Sequence, residues 1–226
     1  MQFPADQLSS ANLCLVSAVI QGHTTTGRVG PVQTPVSHQL YVYLIERPPL
    51  IASLLERFSL AAYQFRPEGP NRFWFNDGEG IQGILTLLYQ DRTNRIYYLD
   101  GYYEGSIFPR LYAKATVFMK IESVTVPDNA SAAQTWLVSY IQLDDSLMAG
   151  LIRMLRPLVG DAMTRKLTRG FDITNQLAAL IAKDPNRVAQ EAALIPGLPL
   201  ESLQSFQSAI DSVASHLPTP PVFAAP

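Results

Sequence analysis

The sequence is poor in the residues that most redox and metal chemistry requires. It contains a single cysteine, Cys14, and three histidines among 226 residues. One cysteine cannot form an intrachain disulfide, which fits a reducing compartment, and we expect a cytoplasmic protein. His23, His38 and His216 are not at metal-ligand spacing. We therefore predict no metal site.

Charge and recognisable motifs are scarce as well. Charged residues make up 16% of the chain and the net charge is −2, so nucleic acid is not an expected partner. The sequence has no G-x-G-x-x-G, P-loop or G-x-S-x-G pattern, and we predict no cofactor. No feature of the sequence sets an oligomeric state.

The apolar run nearest the N-terminus, "LCLVSAVI" at residues 13–20, is short. A membrane-spanning helix needs about 20 apolar residues, and a signal peptide carries basic residues ahead of its apolar part. Neither condition is met, and we interpret the run as a buried strand.

Residues 36–61 are rich in leucine and are divided by two prolines. Because proline is well tolerated in the first turn of a helix, we predict a helix from Pro48 to Leu60. Residues 36–46 fit either a short helix or an extended segment.

From residue 63 to residue 145 the apolar residues alternate with polar ones, as expected for strands. The turn "DRTN" leads directly into "RIYYLDGYYEG", so a tight hairpin is predicted there. The segment "NDGEG" lacks the spacing of a calcium loop and predicts another hairpin turn. The predicted strands are a pair within 63–77, followed by 81–91, 95–105, 110–124 and 134–145.

Small residues occupy several positions in these strands, among them Gly83, Gly101, Ala113 and Ala115. Protein interiors are densely packed, so small residues in a strand indicate either a bend or a cavity. Both interpretations remain open at this point.

A long amphipathic helix is predicted after residue 146. Its apolar residues recur every three or four positions, and Pro157 is expected to kink it. A break and a short final helix follow. The last residues, 216–226, are proline-rich and are expected to be disordered.

This order of elements, a strand, one or two helices, a run of antiparallel strands and a long C-terminal helix, resembles the START-like (SRPBCC) superfamily of the helix-grip fold. The resemblance implies an α+β fold in which a curved antiparallel sheet wraps on the long helix. It implies a ligand-binding domain over 1–184, with a cavity between helix 146–169 and the sheet. Residues 185–215 would form a helical extension and 216–226 a tail.

The resemblance also implies a function, the binding or transport of a hydrophobic small molecule or lipid without catalysis. One alternative is a polyketide cyclase or dehydratase-like enzyme, for which Tyr98, Asp100 and Glu104 are the candidate acids and bases. Another is a structural or interaction module with a filled core. The candidate ligand-binding residues are Tyr98, Tyr102, Tyr112, Ala113, Ala115, Val117, Tyr140, Leu151, Leu155 and Leu158.

The long helix carries five cations, which we interpret as a solvated outer face. The alternative is a transient contact with anionic lipid headgroups at a membrane surface. Arg110 is a further candidate, as the partner of a ligand carboxylate or phosphate. The five helix cations are Arg153, Arg156, Arg165, Lys166 and Arg169.

Overall fold

The computed structural model describes residues 4–104, 110–126, 131–144 and 149–214. The side chains of residues 5, 149–161, 163–164, 167, 171 and 212–214 lie outside this description, as does the proline-rich tail. The predicted disorder of residues 216–226 therefore falls outside the described residues.

Seven strands form one antiparallel sheet in the order β1-β7-β6-β5-β4-β3-β2. The strands are β1 (Thr25–Thr34), β2 (Gln64–Gly69), β3 (Arg72–Asn76), β4 (Ile81–Gln90), β5 (Asn94–Tyr103), β6 (Leu111–Thr125) and β7 (Ser131–Leu143). The helices are α1 (Ser10–Gln21), α2 (His38–Ile45), α3 (Pro48–Arg57), α4 (Ala149–Lys183), α5 (Pro185–Ala193) and α6 (Leu200–Ala214), with a 3-10 turn at Ala5–Gln7. This is the α+β architecture of the helix-grip fold, as predicted.

The two sides of the sheet are covered differently. On the front face, which includes Ile121 and Ala133, the main core contains buried residues of α2 to α6, such as Leu177 and Phe206. The back face includes Phe118 and Tyr140, and α1 packs against it. Strand β7 follows this division closely, since its odd-numbered residues from 133 to 143 are all buried.

The run at residues 13–20 is helical, so the predicted buried strand is wrong. The Ser9 side chain caps helix α1 by accepting a hydrogen bond from the backbone N–H of Asn12 at 3.2 Å. Val16 packs on the back face, whereas Leu13 and Leu15 are 38% and 42% exposed. Because apolar residues occupy both the packed and the exposed side of α1, the sequence shows no helical stripe.

Two glycines of the hairpin allow a close approach of its strands. Gly83 and Gly101 lie directly opposite each other in β4 and β5. A Cβ atom on Gly83 would lie 2.5 Å from the Cα of Gly101, closer than real contacts allow. The strands therefore approach each other here in a way that only glycine permits.

Helix α4 runs without a break through Pro157, Gly160 and Gly170, and it extends well beyond residue 169. It lies against β1, where Thr34 Oγ1 donates a hydrogen bond to Asn175 Oδ1 at 2.6 Å. Helix α4 ends at Lys183, and the Asp184 side chain caps helix α5. The domain boundary at residue 184 stays a prediction. Helices α5 and α6 contribute Val188, Phe206 and Ile210, among others, to the main core.

Most other predictions from the pattern are confirmed. Helix α3 begins at Pro48, as predicted. Of the short helix and the extended segment that residues 36–46 allowed, the structure has the helix, at residues 38–45. The hairpin of β4 and β5 and strands β6 and β7 lie where alternation predicted them. Residues 25–34, where the sequence analysis predicts no strand, form edge strand β1.

Candidate ligand-binding site

A cavity of about 330 Å³ lies on the front face where α2 joins α3. The junction contributes the last residue of α2, the two residues that follow it and the first residue of α3. Strands β3, β4 and β5 and the turn before β3 supply the facing wall. The lining residues are Ile45, Glu46, Arg47, Pro48, Asn71, Phe73, Leu85, Leu87, Gln90 and Tyr97. We call this space the elbow cavity.

The register of the sheet explains why these strand residues meet. Phe73 pairs with Leu85, and Leu87 pairs with Tyr97, so all four side chains emerge on the same face. A bulge between Leu87 and Tyr89 then shifts the alternation by one residue. These four side chains therefore form an apolar part of the cavity lining, and all four are only partly buried.

The polar groups of the elbow cavity are held in place by neighbours. Glu46 accepts a hydrogen bond from Arg95, a buried arginine, at 2.7 Å. Arg47 stacks over the ring of Tyr43 at 3.7 Å and donates to the Tyr43 carbonyl oxygen. Because these charges are already fixed, they can orient a polar end of a ligand without a large ordering cost.

Tyr97 supplies a hydroxyl to the apolar wall. Burial raises the pKa of Tyr97 to about 12. The hydroxyl is thus neutral at ordinary pH and can donate or accept one hydrogen bond, which suits it to orienting a ligand.

A second group of small and apolar residues continues along the front face. Ala115 packs with Ile141 and Leu143, and Leu99 and Ala113 pack against them. The register places this group beside the Gly83–Gly101 pair, since Ala113 lies opposite Gly101. Four small residues, Gly83, Gly101, Ala113 and Ala115, are therefore neighbours on the front face.

The structure divides the sequence-predicted site residues between the two faces. Ala113, Ala115 and Val117 lie on the front face, opposite Gly101, Leu99 and Tyr97. The four predicted tyrosines lie on the back face, since Tyr98 and Tyr140 both lie opposite Thr116, and Tyr102 lies opposite Tyr112. The two groups do not line one cavity. Leu151, Leu155 and Leu158 lie in α4, and their side chains are outside the described residues.

The candidate acids and bases of the cyclase alternative also lie away from the elbow cavity. Asp100 is exposed on the back face opposite Lys114. Glu104 is exposed beyond the end of β5 and pairs with Arg110 at 3.1 Å. Arg110 also stacks over the ring of Tyr102 at 4.5 Å, so it contacts protein groups on the back face.

Two of the five cations of the long helix are not part of a free solvated face. Lys166 Nζ lies 2.5 Å from Asp77 Oδ2 and 3.0 Å from Glu79 Oε2, and Arg169 also pairs with Glu79. The turn between β3 and β4 thereby holds α4 to the sheet. Arg165 is exposed as expected. The side chains of Arg153 and Arg156 lie outside the described residues.

Sequence reasoning missed the α2–α3 junction and the alternate residues of β4 and β5. Alternation along β5 places Tyr97 and Leu99 on the opposite side from Tyr98, but which side faces the helices depends on pairing to distant strands. Leu85 and Leu87 alternate with Thr86 in β4, but Ile84 and Leu88 of the same strand are also aliphatic, so the sequence of this hairpin does not mark the face that meets the helices.

Within the residues that the structure describes, no group of three or more His, Cys, Asp or Glu residues could hold a metal ion. Within the same residues, no helix is long and apolar enough to span a membrane.

The sequence matches no known protein family and no curated protein. Among the solved structures that resemble the fold are the following three. A conserved protein from Geobacillus kaustophilus is 11% identical with a TM-score of 0.46 over 68% of this chain and 93% of that one. Ara h 8.0201 is 13% identical with a TM-score of 0.40 over 68% and 97%. A protein from Thermobifida fusca is 19% identical with a TM-score of 0.29 over 60% and 83%.

These TM-scores are all below 0.5. The assignment of the fold therefore rests on the strand order and on the helices described above.

Proposed function

We propose that the chain binds a hydrophobic small molecule or lipid on the front face of the sheet, beside the α2–α3 junction and beneath α4. The observation that carries this proposal is the elbow cavity, in which polar groups of the α2–α3 junction and of Asn71 and Gln90 surround a set of half-buried apolar and aromatic side chains. These side chains are Phe73, Leu85, Leu87 and Tyr97. An apolar wall with a few convergent polar groups is the usual composition of a small-molecule site.

Binding would come mainly from apolar contact. Each Å² of apolar surface removed from water contributes roughly 25 cal/mol before ordering costs are subtracted. Tyr97, Asn71 and Gln90 would then orient the polar end of the ligand. Ala113, Ala115 and Val117 would extend the apolar surface, together with Leu151, Leu155 and Leu158 of α4.

We propose membership of the START-like superfamily on the same basis. Its support is the order β1, two helices, six further strands and one long helix, with β1 and β2 at opposite edges of the sheet. In this proposal residues 1–184 are the ligand-binding domain and 185–215 an extension. A cyclase that uses Tyr98, Asp100 or Glu104 is not proposed, because these residues lie away from the front-face site.

The experiment is native mass spectrometry of the purified full chain, followed by organic extraction and mass analysis of the released molecules. We expect a bound apolar molecule. Leu85→Trp, which fills the elbow cavity, should reduce the bound fraction at least tenfold.

Thr86→Trp is the matched control, since Thr86 is the next residue of β4 and lies on the back face. It should bind as the unaltered chain does. Equal loss in both variants, or an empty protein that takes up no apolar probe such as a fluorescent fatty acid, would contradict the proposal.

A further inference from the structure

A second cavity, of about 480 Å³, lies at the first turn of α2. Its walls come from three places in the chain, the start of α2, the turn between β4 and β5, and the facing ends of β6 and β7. The lining residues are Ser37, His38, Gln39, Val42, Arg92, Arg95, Ser123 and Ser131. No carboxylate is among these described lining residues. This polar composition differs from that of the elbow cavity.

The backbone at the start of α2 presents hydrogen-bond donors to this cavity. Ser37 caps the helix by accepting from the N–H of Leu40 at 3.2 Å. The first N–H groups of a helix have no acceptor within the helix, and here they belong to His38 and Gln39. The helix dipole adds a partial positive charge at the same end.

Two arginines add positive charge. Arg95 is only 3% exposed, and its Nε has no hydrogen-bond partner. Its terminal nitrogens bond two carbonyl oxygens of the turn and Glu46, which neutralises part of the charge. Arg92 is exposed, and among the described residues it makes no ion pair.

The two serine hydroxyls complete the donors. Ser123 and Ser131 lie opposite the helix end, with their Oγ atoms 3.4 Å apart. Hydrogen-bond donors of the helix, of the arginines and of the strand ends therefore line the cavity on different sides. A tetrahedral oxyanion accepts hydrogen bonds from several directions at once, which favours phosphate over a flat carboxylate.

We propose that this cavity binds a phosphate group, carried by a small phosphomonoester or by a lipid headgroup. Arg92 provides the ion pair, the N–H groups of His38 and Gln39 bind phosphate oxygens, and Ser123 and Ser131 supply hydroxyls. This site is separate from the hydrophobic site, and it does not depend on the function proposed above.

The test titrates the full chain with phenyl phosphate and with inorganic phosphate, following backbone amide signals by NMR. We expect saturable shifts at His38 and Gln39 with both probes. Phenol, which has the ring but no phosphate, should give none. A second experiment measures the fraction of the protein that sediments with phosphatidylcholine vesicles, prepared with and without phosphatidic acid. Binding that needs phosphatidic acid and exceeds the affinity for phenyl phosphate identifies a headgroup as the source.

Arg92→Gln should weaken phosphate binding at least tenfold, and Ser131→Asp should abolish it by placing a negative charge at the site. Arg72→Gln is the control, since Arg72 is an exposed arginine of β3 remote from the cavity. The proposal is overturned if no phosphate probe binds, if phenol binds as tightly as phenyl phosphate, or if Arg92→Gln behaves as Arg72→Gln does.

Discussion

The front and back faces of the sheet are made of alternate residues of the same strands, but they differ in what covers them. The front face supports the main core with residues from five helices and contains the elbow cavity. In the described part of the chain, α1 is the helix that covers the back face. Most of the strands' tyrosines are on that side, where Tyr102 packs on Tyr112 and Tyr140 on Phe118. Abundant aromatic residues in a strand therefore do not identify the face that holds a cavity.

The largest expected difference between the faces is in stability. Leu177 is fully buried in the front core, and Leu177→Ala should lower the free energy of unfolding by about 2–5 kcal/mol. Leu8 is only partly buried on the back face, and Leu8→Ala should cost about 1 kcal/mol. Urea denaturation of both variants measures the two values. Equal losses would show that the faces contribute alike.

The second difference concerns Tyr97 and Tyr98, adjacent tyrosines on opposite faces. The unfolded chain loses the Tyr97 proton near pH 10, whereas the folded protein retains it up to a pKa of about 12. Between these pH values the unfolded state binds fewer protons, so the free energy of unfolding falls as pH rises, by on the order of 2 kcal/mol.

Tyr97→Phe should remove most of this loss between pH 10 and 12. Burial raises the pKa of Tyr98 as well, but this ring is far less enclosed, so Tyr98→Phe should remove less. Chemical denaturation at a series of alkaline pH values measures both. An unchanged pH dependence in Tyr97→Phe would place the responsible group elsewhere.

The smallest expected difference is between two surface carboxylates. Glu79 pairs with Lys166 and Arg169 and joins α4 to the sheet, whereas Glu104 pairs with Arg110 alone. Glu79→Gln should cost up to about 1 kcal/mol at low salt, and Glu104→Gln should cost less. Thermal unfolding with and without added sodium chloride checks this, because salt should reduce the effect of Glu79→Gln. An effect that is independent of salt would exclude an electrostatic cause.

The sequence was informative where a pattern is local. Alternation in β6 and the position of Pro48 depend on neighbours in the chain, and both predictions are confirmed. Helix α1 was missed because a short apolar run fits a strand or a helix equally well. The site was mostly missed because it depends on register, since shifting a strand by one residue moves all its side chains to the other face.

The pairing of β1 with β7 has a consequence for how the chain folds. These two strands are neighbours in the sheet, but β1 is the first strand in the sequence and β7 is the last. The Leu143 N–H donates a hydrogen bond to Thr24 Oγ1, which lies 119 residues earlier in the chain. Closing so long a loop costs conformational entropy before any contact repays it. Sheets built on such distant pairings fold slowly, in milliseconds to seconds for small domains. During synthesis, residues 25–34 emerge long before their partner strand, and they remain an unpaired strand edge until β7 has been made.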